Sequence, residues 1–217
     1  MINFLKKKKE LIVIFCISFF LFFVKWTLSL YFFNDEDLSI RVINESSSTS
    51  FTSDSYQYFH YIKSLADFNF RAIYDPEINS NYYLLIPYGS IIFHSIVFKL
   101  IGNLSFVLLE FLAIFLFITI FYLIFRLINF SKNLSILLPV IFYTLPDFLH
   151  FFNYFNIIEI GSFSGNFYSL RFPRPLVSNL FFFAFIYILI QSHIKKNLFT
   201  KKNLFSLSII FGMTLSS

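Results

Sequence analysis

The sequence predicts an all-α polytopic membrane protein, a transmembrane helix bundle whose outer-face loop carries amphipathic interfacial helices. Three observations predict it. Of 217 residues, 57% are hydrophobic and 13% charged, and the mean hydropathy is +0.71, outside the range of soluble chains. The apolar residues gather into runs close to the roughly 20 residues that a bilayer requires. The charges are sorted along the chain: eight of the 12 acids but only three of the 17 bases lie between Asn34 and Asn81. Residues 1–217 read as a single membrane domain, the N-terminal part of a larger bundle, with an acidic outer loop at 34–81.

The first span is predicted from Leu11 to Phe33, after the basic flank Lys6 to Lys9 and Glu10. A cleaved signal peptide is the rival, but no small-x-small site closes the run, so an uncleaved anchor is expected. The flanking lysines assign the N-terminus to the cytoplasm. Lys25 interrupts the run and is expected to snorkel beside Trp26, an interfacial residue type. Cys16, the single cysteine, lies inside this run, which excludes a disulfide framework. The 36 phenylalanines accompany Ile, Asn and Lys, a set that AT-rich coding favours, and are read as lipid-facing filler.

Further spans are predicted at Tyr82 to Ile101, Ser105 to Phe125, Ser135 to Phe152 and Leu176 to Gln191, with a start at Leu204. The last run is too short to cross before Ser217, hence the expectation of an N-terminal fragment. "HIKKNLFTKKN", His193 to Asn203, reads as a cytoplasmic patch, since its lysines flank spans. Nucleic-acid binding is not expected for the same reason. Simple alternation, however, puts Arg126, Lys132 and the Lys195 to Lys202 cluster outside. One segment between Tyr82 and Phe152 is therefore expected not to cross, a helix interrupted at Pro139 or Pro146 being the simplest repair.

The outer loop has two parts. "NESSSTSFTS", Asn44 to Ser53, is a polar linker. From Asp54 to Phe70, apolar residues recur at Tyr58, Tyr61, Ile62, Leu65 and Phe68, the spacing of an amphipathic helix. Ser53 is the expected N-cap, with Asp54 at the positive end of the helix. The helix is expected to lie on the outer membrane surface.

The order of features resembles the N-terminal half of the GT-C superfamily, integral-membrane glycosyltransferases such as the protein mannosyltransferases and aminoarabinose transferases. The residues that carry the resemblance are "DSYQYFHYIKSLADF", then "YYLLIPYGSIIFHSIVFKLIGNLSFVLLE", "FRLINFSKN" and "KKNLFSLSIIFGMTLSS". Asp54 and Tyr58 match the acid and tyrosine of the family's first outer loop. Pro87 and Gly102 match its following element, Arg126 and Lys132 its basic turn, and Lys201 to Gly212 its return to the membrane. The resemblance implies transfer of a sugar from a polyprenyl-phosphate donor to an acceptor on the outer face, in a bacterial inner membrane. Asp54 is the implied catalytic acid or base, with Tyr58 and His60 beside it in the substrate region.

A divalent metal, Mg or Mn, is the implied cofactor, and Asp35, Glu36 and Asp37 are its candidate ligands, a solvated acidic run being the plainer reading. Arg171 and Arg174, set between prolines in "SLRFPRPLVSN", suit bidentate contact with the donor phosphate; as plain residues they read as an interfacial anchor. The family's second acid has no counterpart nearer than Asp147 or Glu159. The alternative is a non-enzymatic polytopic protein, a transporter or assembly partner. It rests on Glu110 and His94, ionisable residues within consecutive predicted spans and able to pair across "KLIGNLS".

Overall fold

A computed structural model describes residues 2–33, 55–69, 88–154, 176–196 and 200–216. Among them are seven α-helices and no strand: α1 Ile2–Phe33, α2 Ser55–Ala66, α3 Tyr88–Ile101, α4 Leu104–Leu127, α5 Lys132–Tyr154, α6 Leu176–Ile194 and α7 Lys201–Ser216. Two of them, α4 and α6, are long and apolar enough to cross a membrane.

Helix α4 is apolar on every side, which suits a helix surrounded by other helices. It packs against α1, α3, α5 and α6. Phe111 is met by Phe15, Phe19 and Phe22 of α1 at ring-centroid distances of 5.4, 6.1 and 5.7 Å. On another side, Phe117 and Phe121 meet Phe183 of α6 at 6.0 and 4.3 Å. Tyr143 of α5 approaches Phe117 at 6.1 Å. The phenylalanines of α4 are thus partly interhelical packing, at about 0.5–1.5 kcal/mol per aromatic pair beyond area burial. Other large apolar side chains, among them Ile12, Phe20 and Phe93, are exposed.

Helix ends follow local chemistry. Ser131 and Thr200 precede α5 and α7, and their hydroxyls accept from the backbone N–H groups of Leu134 and Asn203 at 3.4 Å, the N-cap arrangement. Helix α2 closes with Asn69 N–H on the Ser64 carbonyl and Phe68 N–H on Leu65, while Phe68 takes the left-handed φ of 57°. Helix α4 closes the same way through Phe130 on Phe125 and Asn129 on Arg126, with Asn129 at φ 68°. Both are Schellman closures. The α3–α4 turn uses Gly102 at φ 61°, a conformation open to a residue without Cβ.

Two contacts fix how α1 and α4 run. Glu10, near the start of α1, meets Tyr122, near the end of α4. Trp26, near the end of α1, meets Glu110, near the start of α4. The helices are antiparallel. The end of α1 and the start of α4 therefore lie at one end of the bundle, the Trp26–Glu110 end. There α2 packs on α3, and its Phe59 meets Phe98 of α3 and Phe106 of α4 at 5.9 and 6.0 Å.

Several expectations change. Helix α5 runs unbroken through Pro139 and Pro146, so neither proline interrupts it. The short helix is α3: its 14 residues span about 21 Å at 1.5 Å per residue, against a hydrocarbon core of roughly 30 Å. The predicted stripe of α2 holds at Ile62 and Leu65, which are buried, as is Phe59. It fails at Phe68, which lies past the last turn and is 77% exposed. Trp26, expected as an interfacial residue type, is buried against protein, 8% exposed.

Candidate functional site

The polar groups of the bundle gather at its two ends. At the first, the Tyr122 hydroxyl donates to the Glu10 carboxylate and the Lys132 ammonium pairs with its other oxygen. Three segments meet there because the Asn129 turn folds α5 back beside α4. Glu10 is 8% exposed, and burial by itself would raise its pKa. The hydrogen bonds from Lys132 and Tyr122, with the charges of Lys132 and Arg126, outweigh that and hold the carboxyl below its ordinary value. Arg126 Nη1 donates to the Phe130 carbonyl at 2.8 Å, which holds the guanidinium over the turn.

At the opposite end, the Trp26 indole N–H donates to Glu110 at 2.9 Å. His94 Nε2 and the Ser105 hydroxyl share a hydrogen bond of 3.1 Å across the α3–α4 turn, and the His94 ring lies 4.2 Å from that of Phe106. Glu110 and His94 are 1% and 2% exposed. The sequence suggested that these two could pair with each other; each has a contact of its own that joins two helices. Ser18, Ser95 and Thr119 turn their hydroxyls back onto the carbonyls of Ile14, Ile91 and Phe115, the local solution for a hydroxyl in an apolar helix. Above this end, Asp67, just past α2, pairs with Lys99 of α3 at 3.2 Å.

Of the residues expected at an active site, Tyr58 and His60 are described, both on α2. Tyr58 is half-buried, packs against the apolar core and meets Tyr61 at 6.4 Å. His60 is half-buried with its ring edge-on to Phe59 at 5.7 Å. Asp54, Asp35, Glu36, Asp37, Arg171 and Arg174 lie outside the described residues, so the carboxylates expected to hold a divalent metal carry no geometry here. Among the described residues, no three His, Cys, Asp or Glu side chains converge as a metal site would require. What the sequence fixes is that Asp54 directly precedes Ser55, the first residue of α2.

Two residues that matter to this arrangement escaped sequence reasoning in their roles. Local pattern marks Glu10 only as the edge of a basic flank, and Trp26 only as an interfacial residue type. The available signal was charge isolation: a single acid among lysines, and a single acid in an apolar run, each need a partner.

No family model, no curated protein and no solved structure matches this chain.

Proposed function

We propose that this chain is the N-terminal membrane part of a GT-C-like glycosyltransferase. It would move a sugar from a polyprenyl-phosphate donor to an acceptor at the outer face of a bacterial inner membrane. The observation that carries the reading is the seat of α2, whose Phe59 packs on Phe98 and Phe106. That is the end opposite the Glu10–Lys132 pair. Asp54 adjoins this helix in the chain.

Sidedness follows from charge. Lys6 to Lys9 assign the Glu10 end to the cytoplasm, so α2 is on the outer side. On this reading α1 crosses outward, α2 and α3 stay with the outer half, and α4 crosses inward. Arg126 and Lys132 then join Lys6 to Lys9 in the cytoplasm. Helix α5 returns outward and α6 inward, which brings Lys195 to Lys202 inside and leaves Arg171 and Arg174 outside with Asp54. Taking α3 out of the set of crossings removes the conflict that simple alternation created.

In the proposed reaction the acceptor heteroatom bonds to the anomeric carbon as the bond from that carbon to the phosphate oxygen breaks. Asp54 takes the acceptor proton as general base, and the lipid phosphate leaves with its charge held by Arg171 and Arg174. A cation on Asp35, Glu36 and Asp37 would add charge stabilisation to the leaving phosphate.

The test is sugar transfer in vesicles carrying the full-length protein. Asp54→Asn is expected to lower it by about 100-fold or more, the usual contribution of a general base; unchanged transfer rules out Asp54 in that role. Sidedness is tested separately, in a Cys16→Ser background, with Lys63→Cys on α2 and Asn133→Cys on α5. An impermeant thiol reagent is expected to reach only Lys63→Cys from outside, and labelling of both from one side would overturn the topology. The second reading, a transporter, draws on buried Glu110 and His94. Their partners Trp26 and Ser105 give both residues work as interhelical ties, which favours the enzyme.

A further inference from the structure

The Glu10 end of the bundle holds more positive charge than its one described acid can neutralise. Lys9 and Arg126 are exposed and the Lys132 side chain is 50% exposed. Lys6, Lys7 and Lys8 precede Lys9 on the same helix. Glu10 is already engaged by Tyr122 and Lys132. The Arg126 guanidinium is tethered by one N–H to the Phe130 carbonyl, which fixes the direction of a planar fork suited to phosphate oxygens. Along the chain from these charges, toward the middle of each helix, α1 and α5 carry exposed apolar residues. Leu11 and Ile12 on α1 are 41% and 61% exposed, and Leu134 and Leu137 on α5 are 44% and 53% exposed.

Charge above and exposed hydrocarbon below is the profile of one partner. A free anion or a nucleic acid has no use for the apolar band, and a neutral lipid has none for the bases. We infer that Lys9, Arg126 and the outward part of Lys132 form a binding surface for anionic phospholipid headgroups, whose acyl chains lie along the apolar band of α1 and α5. The Glu10–Lys132–Tyr122 contact sets the spacing of this surface by holding α1, α4 and the start of α5 together. The inference needs only that α4 crosses the bilayer, and holds whether or not the chain transfers sugar.

The experiment is lipid selection. The full chain is purified in detergent, exposed to an equimolar mixture of phosphatidylglycerol and phosphatidylcholine, and the retained lipids are counted by native mass spectrometry. The wild type is expected to retain phosphatidylglycerol in excess. The Lys9→Gln/Arg126→Gln variant is expected to lose that excess by about fivefold per charge removed, as for a basic residue near an anionic surface. Folding of the variant is read from the emission of Trp26, the single tryptophan, which sits at the other end of α1. Equal retention of the two lipids by the wild type, or an unchanged excess in a folded variant, would overturn the inference. So would complete displacement of the lipid by inorganic phosphate, which would mean an anion site with no lipid component.

Discussion

The Trp26 indole N–H donates to the Glu110 carboxylate at 2.9 Å, with both side chains buried between α1 and α4. In an apolar surrounding this contact fixes which part of α1 faces α4, because sliding either helix would leave a donor and a carboxylate without each other. Together with Glu10–Tyr122 at the far end, it sets an antiparallel register that the surrounding phenylalanines alone would not enforce.

Glu110→Leu removes the acceptor and leaves the indole N–H buried, which costs about 1–3 kcal/mol for an unsatisfied group. Trp26→Phe removes the donor and also a large apolar surface. The expected outcome is a lower unfolding midpoint in detergent for each variant. The double variant should lose less than the two single losses combined, since the shared contact can be lost once only. Emission of Trp26 in Glu110→Leu, compared with the wild type, reports the local change.

The Glu10 contact predicts a pH dependence. Its carboxyl is held below the ordinary value of 4.5 in the folded chain. A depressed carboxylate contributes stability that is full above the unfolded pKa and is lost as pH falls through the folded one. The unfolding midpoint is therefore expected to hold between pH 7 and about 5 as far as this group is concerned, and to fall below its ordinary value of 4.5. Glu10→Gln, which keeps an acceptor for Tyr122, is expected to be less stable at pH 7 and to lose this part of the acid slope. A slope unchanged in Glu10→Gln would assign the effect to other carboxylates.

Phe68 gives a test of the α2 boundary. It occupies the left-handed position after the helix with φ 57° and has its ring 77% exposed, with Lys99 Nζ 6.0 Å from the ring centroid. A bulky residue costs roughly 1–2 kcal/mol in this conformation, where glycine is the usual choice. Phe68→Gly is expected to stabilise the chain in detergent by about 1 kcal/mol, read as a raised unfolding midpoint.

Much of this fold was legible in the sequence. Apolar run length gave the positions of α4, α5 and α6, and helical spacing gave α2, because in both cases the signal lies within one segment. The pairs that orient the bundle were not legible. Glu10 and Tyr122 are 112 residues apart, and Trp26 and Glu110 are 84 apart; no local pattern connects them. The same limit applied to Trp26, whose residue type suggests a membrane interface while its contact depends on a helix not yet in view. At the candidate site the sequence supplied Tyr58 and His60 on a helix, and the structure adds that this helix packs on α3 and on Phe106. The grounds for Asp54, Arg171 and Arg174 are still those of the sequence. Run length alone is a weaker guide at α3: the apolar run from Tyr82 to Ile101 has the length of a crossing, whereas the described helix has 14 residues.

Gly89 tests how α3 is seated. It lies in the first turn of α3, against the last turn of α7. A Cβ placed there would stand 2.7 Å from the Met213 carbonyl oxygen and 3.1 Å from the Ser216 carbonyl carbon, and would press on the Ser216 hydroxyl. The hydroxyl can rotate away, but the Met213 carbonyl belongs to helix backbone, so α3 and α7 must move apart. Gly212, on the same α7, has nothing within 4 Å of an added Cβ and serves as the control. Gly89→Ala is expected to lower the unfolding midpoint by the equivalent of about 1–3 kcal/mol, the range for overpacking. Gly212→Ala, in an open helical position, is expected to leave it unchanged or raise it by up to about 1 kcal/mol. Equal effects at the two positions would mean that α3 does not approach α7 this closely. The proposed topology, in which α3 does not cross, would then lose the support of this contact with α7.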